Sequence, residues 1–391
     1  MAAIPPGSPA PPAAADRARI AVLCHGGGGG STRAAIDLAA ALARRGRDVR
    51  LVTLGRPRWT LPPGLRHIVV PSPHAAHRPF DGPWDDTAVA SIAGIVAAIC
   101  RSERIDLVHC HYGLPFAAVA AAVGDMLSPT RPAIVATLHG SDITAAAGDP
   151  RLARQLGRDL RRSDAVSTVS AAYAALLRAT VDVAPPPVVV PNFAHAAAPV
   201  RQRRPGAAPV LIHVSSFRAV KDARGVARAF LAVRRRLRCR LLLVGDGPEW
   251  HATRKLLRHR SGDVRLLGFR DDVPSLLRDA DILLLASRAE SFSLAALEAM
   301  AAGVPVVAPR VGGLPEVIGD GLGGLLFHPG RSADAAARIV ALLHAPVRYR
   351  RMAAAARRRA GDFPEARTLA RYEALYCVAV ARRMAPAHAA P

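Results

Sequence analysis

At 391 residues, half of them apolar, the chain exceeds a single ordinary core and is most simply two domains, each able to bury an interior. Its formal charge of +23 invites a nucleic-acid reading. Against that, 51 Arg and only 2 Lys are scattered along the whole length, with no basic stripe interleaved with aromatic residues, which is compositional bias and leaves only a general pull on anions or membrane surfaces.

Residues 1–17 form a Pro/Ala-rich tail, expected to be disordered and without the continuous apolar run of a signal peptide. Strand RIAVLC (19–24) leads through Gly26–Gly30 into a helix reaching about Arg45, followed by strand DVRLVTL (48–54). A helix over 87–102 precedes strand DLVHC (106–110), and IVATLH (134–139) and AVSTVS (165–170) follow with helical segments between them. This βαβ alternation predicts a mostly parallel sheet for an N-terminal domain over 18–195. The Pro-rich stretch 184–209 holds its last strand and a linker, 196–209.

Alternation restarts with VLIHVS (210–215), a helix over 222–236, CRLLLVG (239–245), a helix near 249–260, VRLLG (264–268) and a short helix over 273–278. Strand ILLLA (282–286) then leads to a short helix with Ser291 or Ser293 as N-cap and Gly303 as stop, and VPVVAP (304–309) is the next strand. The second domain is expected over 210–365. A helical, Arg-rich tail from Ala333 to Arg382 is broken at Phe363-Pro364; its last part, from 366, is expected to cross back onto the first domain before a disordered end.

Five widely spaced cysteines, Cys24, Cys100, Cys110, Cys239 and Cys377, never form C-x-x-C, which predicts reduced thiols in a cytoplasmic protein and neither a disulfide framework nor a zinc site. No apolar run approaches the ~18 residues of a membrane span.

Chemistry concentrates where predicted strands end, the ligand side of an open α/β sheet. Glu290 and Glu298 bracket the short helix after ILLLA; eight residues of full helix would set them roughly 12 Å apart, beyond the about 5–9.5 Å of a glycosidase pair. That spacing suits an elongated ligand held at both ends, although two carboxylates on a solvated helix face are the plain alternative. In VSSFRAVKD (214–222), Arg218 and Lys221 are three apart at a helix start, where two cations would neutralise a diphosphate; an ordinary basic helix start is the competing reading, weakened by the rarity of Lys. Gly245, Gly247 and Gly268 end strands and would let a flat base approach the backbone.

The glycine loop with Ser31 and Arg33 resembles a dinucleotide fingerprint. Ser31 or Arg33 replaces the third glycine, and the second strand ends without an acid for a ribose, which disfavours NAD; the loop remains a surface for an anionic group. His109 and His111 have no identifiable third ligand for a metal. His139, before Gly140 at a strand end, can point toward a ligand or be purely structural.

Taken together, AESFSLAALEAMAAGVPVV (289–307), GVPVVAPRVGGLPEVI (303–318), HCHYGLP (109–115), TLHGSDIT (137–144), SDAVSTVS (163–170), VVPNF (189–193) and HVSSFRAVKD (213–222) resemble the retaining glycosyltransferases with an E-x7-E motif, over about 18–380. The resemblance implies the B-type fold, two Rossmann-like α/β domains facing across a cleft. It implies Glu298 on the ribose hydroxyls, Glu290 on the donor sugar, and Arg218 and Lys221 on the diphosphate, with Ser293, Leu294, Gly245 and Arg270 also at the donor. His139 would sit beside the reacting carbon, and Gly30, Ser31, Arg33, Tyr112 and Asn192 would face the acceptor.

No metal or cofactor is implied; cationic side chains and helix N-termini stabilise the departing UDP. Within the family the finer motifs are closest to members that move N-acetylglucosamine from UDP-N-acetylglucosamine to L-malate. Two departures bear on the acceptor: Ser293 replaces the glycine usual in E-S-F-G-L, and Arg33 stands where a small apolar residue is expected. A sister transferase with another UDP- or GDP-sugar and an anionic or lipid acceptor is the alternative. A UDP-sugar epimerase or a non-catalytic sensor ranks below it. Partners are expected to be small molecules, with no nucleic acid, no transmembrane segment, and a homo-oligomer left open.

Overall fold

A computed structural model describes residues 17–71, 84–193, 195, 207–260 and 262–384. The N-terminal tail to residue 16, most of the expected linker and the end after 384 lie outside them. Proximity of Cα atoms divides the chain into two units. Unit 1 comprises the described residues up to Val169, Ala174–Val190 and those from Leu369 onward; unit 2 comprises Ser170–Tyr173 and those within Pro191–Thr368.

Unit 1 is built on seven parallel strands: β1 (Ile20–His25), β2 (Val49–Leu54), β3 (His67–Val70), β4 (Leu107–His111), β5 (Ala133–Leu138), β6 (Ala165–Thr168) and β7 (Val188–Val189). Their order is β3-β2-β1-β4-β5-β6-β7. Strands β1, β2, β4, β5 and β6 are buried at every residue, as expected for apolar runs covered by helices on both faces. The helices are α1 (Gly30–Arg44), α2 (Asp86–Ser102), α3 (Phe116–Met126), α4 (Ser141–Gly148), α5 (Pro150–Leu160) and α6 (Ala171–Thr180), the last belonging to unit 1 from Ala174 onward. Helix α2 starts where the Asp85 side chain accepts from the Ala88 amide at 2.8 Å, and α5 starts with Asp149 as cap and Pro150 in its first turn. Strand β3, only four residues long and at the sheet edge, was not anticipated.

Unit 2 holds six parallel strands: β8 (Val210–Val214), β9 (Arg240–Val244), β10 (Val264–Gly268), β11 (Ile282–Leu284), β12 (Val306–Pro309) and β13 (Gly324–Phe327), in the order β10-β9-β8-β11-β12-β13. Its helices are α7 (Ala223–Arg234), α8 (Trp250–Leu257), α9 (Val273–Arg278), α10 (Leu294–Ala302), α11 (Leu314–Ile318), α12 (Ser332–Leu343), α13 (Pro346–Ala360) and α14 (Glu365–Met384), the last belonging to unit 1 from Leu369 onward. Phe217, Phe230, Leu241, Leu243, Ile282 and Leu284 fill its core.

Two expectations are corrected here, and one further strand is added. Glu290 precedes α10, which starts at Leu294, so no continuous helix joins the two glutamates. Arg218 caps a three-residue 3-10 turn, Ala219–Lys221, ahead of α7, so Arg218 and Lys221 do not share an α-helical face. Strand β13 was hidden by the glycines before it.

Both sheets reverse their winding once, between β1 and β4 in unit 1 and between β8 and β11 in unit 2. Loops diverge there and leave a crevice at the carboxyl ends of the strands, the ligand position of open parallel sheets. The two sheets are Rossmann-like, as the sequence predicts.

Candidate active site

In unit 2 the site grows from the ends of β8 and β11. His213 on β8 places Nδ1 2.9 Å from the Leu284 carbonyl and Nε2 2.8 Å from Ser215 Oγ. A carbonyl only accepts, so Nδ1 carries the proton and Nε2 accepts from the Ser215 hydroxyl, which in turn accepts from the Phe217 amide at 3.2 Å. Burial pushes the His213 pKa down to about 4 and keeps the ring neutral. This fixes the loop through Phe217 and Asp222, both at positive φ (43° and 42°). The Asp222 carboxylate accepts from Gly225 N at 2.9 Å and opens α7.

From that loop Lys221 reaches Glu290: Nζ lies 2.7 Å from Oε2, and the Ser287 hydroxyl donates to the same oxygen at 3.2 Å. Glu290 is held through its backbone as well, since Gly313 N donates to its carbonyl at 2.9 Å. A Cβ on Gly312 or Gly313 would collide with the carbonyl of Glu290 or Ser291. Ser287, Gly312 and Gly313 were missed as supports; the adjacent glycines were the available signal.

Ser293 has φ +78°, the left-handed backbone that the missing glycine would adopt freely, and its side chain accepts from Ala296 N at 3.3 Å to cap α10. Leu294 begins that helix and Glu298 lies one turn further on, both half-buried. The glycines ending β9 have a packing reason: a Cβ on Gly245 or Gly247 would strike the carbonyl of Ser215 or Ser216. Arg270, expected at the donor, places Nε and an Nη each 2.7 Å from the Asp272 carboxylate on an exposed turn.

In unit 1 the loop after β1 is tied to the strand itself. Gly27 N donates to His25 Nδ1 at 3.0 Å and the Thr32 hydroxyl to the His25 carbonyl at 2.9 Å. Gly26 is needed for packing, because a Cβ there would collide with the Gly55 carbonyl, whereas Gly29 and Gly30 face open space. Gly30 is exposed and is already the first residue of α1, one before the expected Ser31. Arg33 was expected to lend its charge to an acceptor; its Nε donates to both Asp37 oxygens at 2.9 Å and its guanidinium lies 5.2 Å from the Trp59 ring centre.

At the ends of β4 and β5 three predicted residues come together. His111 Nδ1 is 2.9 Å from His139 Nε2 with the rings stacked, and Tyr112, at φ 100°, stacks 6.3 Å from His139. Tyr112 is 5% exposed, so it is a wall of this cluster more than an open contact. His109 hydrogen-bonds Tyr376 of α14 at 2.8 Å and Thr137 at 2.6 Å, and Thr137 meets Ser167 at 2.7 Å. Burial lowers the pKa of His109 and His139 to about 3 and that of His111 in the same direction.

Buried Asp142, missed from sequence, gathers amides of both strand ends, accepting from Gly113 at 2.8 Å, Gly140 at 2.7 Å, Ile143 at 3.0 Å and His139 at 3.3 Å. Burial raises its pKa and these amides oppose the rise. Asn192, assigned to the acceptor, falls in unit 2, not with the N-terminal residues. Among the described residues no group of three or more His, Cys, Asp or Glu is arranged to hold a metal, and no helix is long and apolar enough to cross a membrane.

The family model described as "Glycosyl transferases group 1" matches residues 208–345, and "Glycosyltransferase Family 4" matches residues 28–197. The chain is 33% identical over 376 residues to an N-acetyl-alpha-D-glucosaminyl L-malate synthase of Bacillus anthracis, covering 92% of this chain and 96% of that one. It is 32% identical over 407 residues to a D-inositol 3-phosphate glycosyltransferase of Geodermatophilus obscurus, covering 93% and 87%. Among solved structures, sucrose-phosphate synthase from Thermosynechococcus elongatus superposes with TM-score 0.78 at 21% identity, covering 92% and 98%. Anabaena HepE in complex with UDP and glucose superposes with TM-score 0.73 at 20% identity, covering 91% and 98%.

With these matches, the two parallel α/β units are those of a sugar-transferring enzyme of the glycosyltransferase B-type fold. The chain belongs to the glycosyltransferase family of group 1 and family 4 domains.

Proposed function

We propose that this glycosyltransferase moves N-acetylglucosamine from UDP-N-acetylglucosamine to the hydroxyl of L-malate with retention at the anomeric carbon. The observation that carries the reading is the likeness to the malate synthase, which spans nearly the full length of both chains. On this reading Glu298 accepts from the ribose hydroxyls, Glu290 orients the sugar, and Arg218 and Lys221 meet the diphosphate beside them. The malate oxygen attacks the anomeric carbon on the face that UDP leaves. The bond to the diphosphate breaks as the new one forms, and the malate proton passes to the departing phosphate oxygen. Charge growing on UDP is stabilised by the two cations, so no metal is needed. Amides at the N-terminus of α1, where Gly29 is the cap and exposed Gly30 the first helical residue, suit the malate carboxylates. All five cysteines are free, which suits a cytoplasmic enzyme.

An inositol phosphate acceptor is the second reading, supported by the relative of that activity and by the basic Arg33. The Arg33–Asp37 ion pair weakens it, because part of that charge is already neutralised. Purified enzyme with UDP-N-acetylglucosamine is expected to release UDP on addition of L-malate, much less with D-malate and little with D-inositol 3-phosphate (the L-inositol 1-phosphate enantiomer). The reverse order overturns the malate assignment. Activity should persist in EDTA; complete loss restored by Mg²⁺ would overturn the metal-free reading.

A further inference from the structure

His109 and His111 are two apart on β4 and project from the same face of the sheet. Their four ring nitrogens are not equally served. His109 uses both of its own, on Tyr376 and Thr137. His111 uses Nδ1 on His139, while its Nε2 is buried with no hydrogen-bond partner, and the residue is 2% exposed.

His111 Nδ1 and His139 Nε2 are both neutral-ring nitrogens sharing one proton, so one donates and the other accepts. If His139 donated, His111 would carry its own proton on Nε2, leaving a buried N–H with nothing to receive it. If His111 donates, the orphan at Nε2 is a bare lone pair. Orphaned buried N–H groups are the rarer and costlier of the two defects. The second arrangement is therefore preferred, and it places the remaining proton of neutral His139 on Nδ1.

We propose that His111 is a positioning residue for the transfer reaction, donating its Nδ1–H to His139 Nε2 and so fixing His139 as a donor through Nδ1. The proposal rests on the reading of His139 as a group beside the reacting carbon. It adds a chemical consequence: with Nε2 occupied and Nδ1 protonated, His139 presents a hydrogen-bond donor and does not act as the base that deprotonates the acceptor. The ring stack of His111 on His139, centroids 5.0 Å apart, fixes the plane in which that donor points.

Two kinds of experiment test this. Histidine-selective ¹⁵N NMR of the full chain, with His139 assigned through His139→Gln, is expected to show His139 protonated at Nδ1 without any substrate. A spectrum showing it protonated at Nε2 overturns the proposal. In turnover, His111→Leu removes the donor, whereas His111→Asn keeps an N–H near the position of Nδ1. With whichever acceptor the wild-type enzyme glycosylates, His111→Leu should lower kcat roughly tenfold to a hundredfold, leaving KM and UDP affinity unchanged. His111→Asn should recover most of that loss. Equal losses in both variants, both still binding UDP, would make His111 a packing residue and overturn the proposal. Should His111→Leu fail to fold, the wild-type spectrum and His111→Asn still decide. Failure of malate as acceptor leaves the NMR result standing, so the two readings fail separately.

Discussion

Lys221 and Glu290 lie 69 positions apart in sequence, yet Nζ and Oε2 are 2.7 Å apart, the Lys side chain 20% and the Glu side chain 10% exposed. One loop leaves β8 and the other leaves β11, neighbouring strands at the reversal of the sheet. The cation assigned to the diphosphate is thus already balanced by the carboxylate assigned to the sugar.

Removing the carboxylate charge should therefore separate affinity from turnover. Glu290→Gln is expected to bind UDP about fivefold more tightly, a gain on the order of 1 kcal/mol, while kcat falls. Lys221→Met is expected to weaken UDP roughly tenfold or more. It should also lower the stability of unit 2 by about 1–3 kcal/mol, because Glu290 loses a charge-assisted partner. Calorimetric titration with UDP checks both; weaker UDP binding by Glu290→Gln would argue against the shared-cation arrangement.

Ser293 presents two opposed effects in one residue. Its φ of +78° costs of order 1–3 kcal/mol for a side chain, while its cap to Ala296 N contributes. Ser293→Gly relieves the first and loses only a few tenths of a kcal/mol of the second, so unit 2 should gain about 1 kcal/mol. Ser293→Ala keeps the strain, loses the cap and should cost about 1 kcal/mol. Denaturant melts should rank Gly above Ser above Ala; Ala at or above Ser would show that the cap carries nothing.

The neutral histidines make unit 1 acid-sensitive. His109 and His139 have folded pKa values of about 3 against an ordinary 6.5, so between these limits the unfolded chain binds more protons. Stability is then fully present above 6.5 and is lost as pH falls toward about 3. Once well below 6.5, each ring contributes a slope approaching about 1.4 kcal/mol per pH unit. Two buried carboxylates of the same unit oppose this in part, because burial raises Asp159 to about 6 and raises Asp142, so each takes its proton in the folded chain before the unfolded one. A steep fall in unfolding free energy between pH 6.5 and about 5 is expected to flatten in His109→Gln, whereas an equally flat wild-type profile would contradict the buried neutral state.

Glu298, half-buried on α10, is assigned to the ribose. Glu298→Ala should lose charge-assisted hydrogen bonds of ~1.5–3 kcal/mol each and weaken UDP at least tenfold. Unchanged affinity by calorimetry would remove Glu298 from the donor site.

Much of this molecule was legible because parallel strands buried on both faces must be continuous apolar runs. The runs ending at Cys24, Cys110, Gly245 and Ala286 marked the sheets and, through their carboxyl ends, the side on which ligands bind. Strands β3 and β13 escaped, one short and at an edge, the other starting among glycines. The family motif put forward Glu290, Glu298, Arg218, Lys221 and His139 as candidates, and Ser293, standing in place of the motif's glycine, takes a left-handed φ.

What the sequence could not supply was pairing. Arg33 with Asp37 and Arg270 with Asp272 are close in sequence, but whether a neighbour captures a flexible guanidinium depends on rotamers and exposure. Lys221 with Glu290, His111 with His139 and His109 with Tyr376 join residues brought together only when strands align in register and α14 packs against β4. Burial then decided the rest: hydrogen bonding and desolvation depend on which atoms share an interior, a property of the assembled sheet and of no single segment.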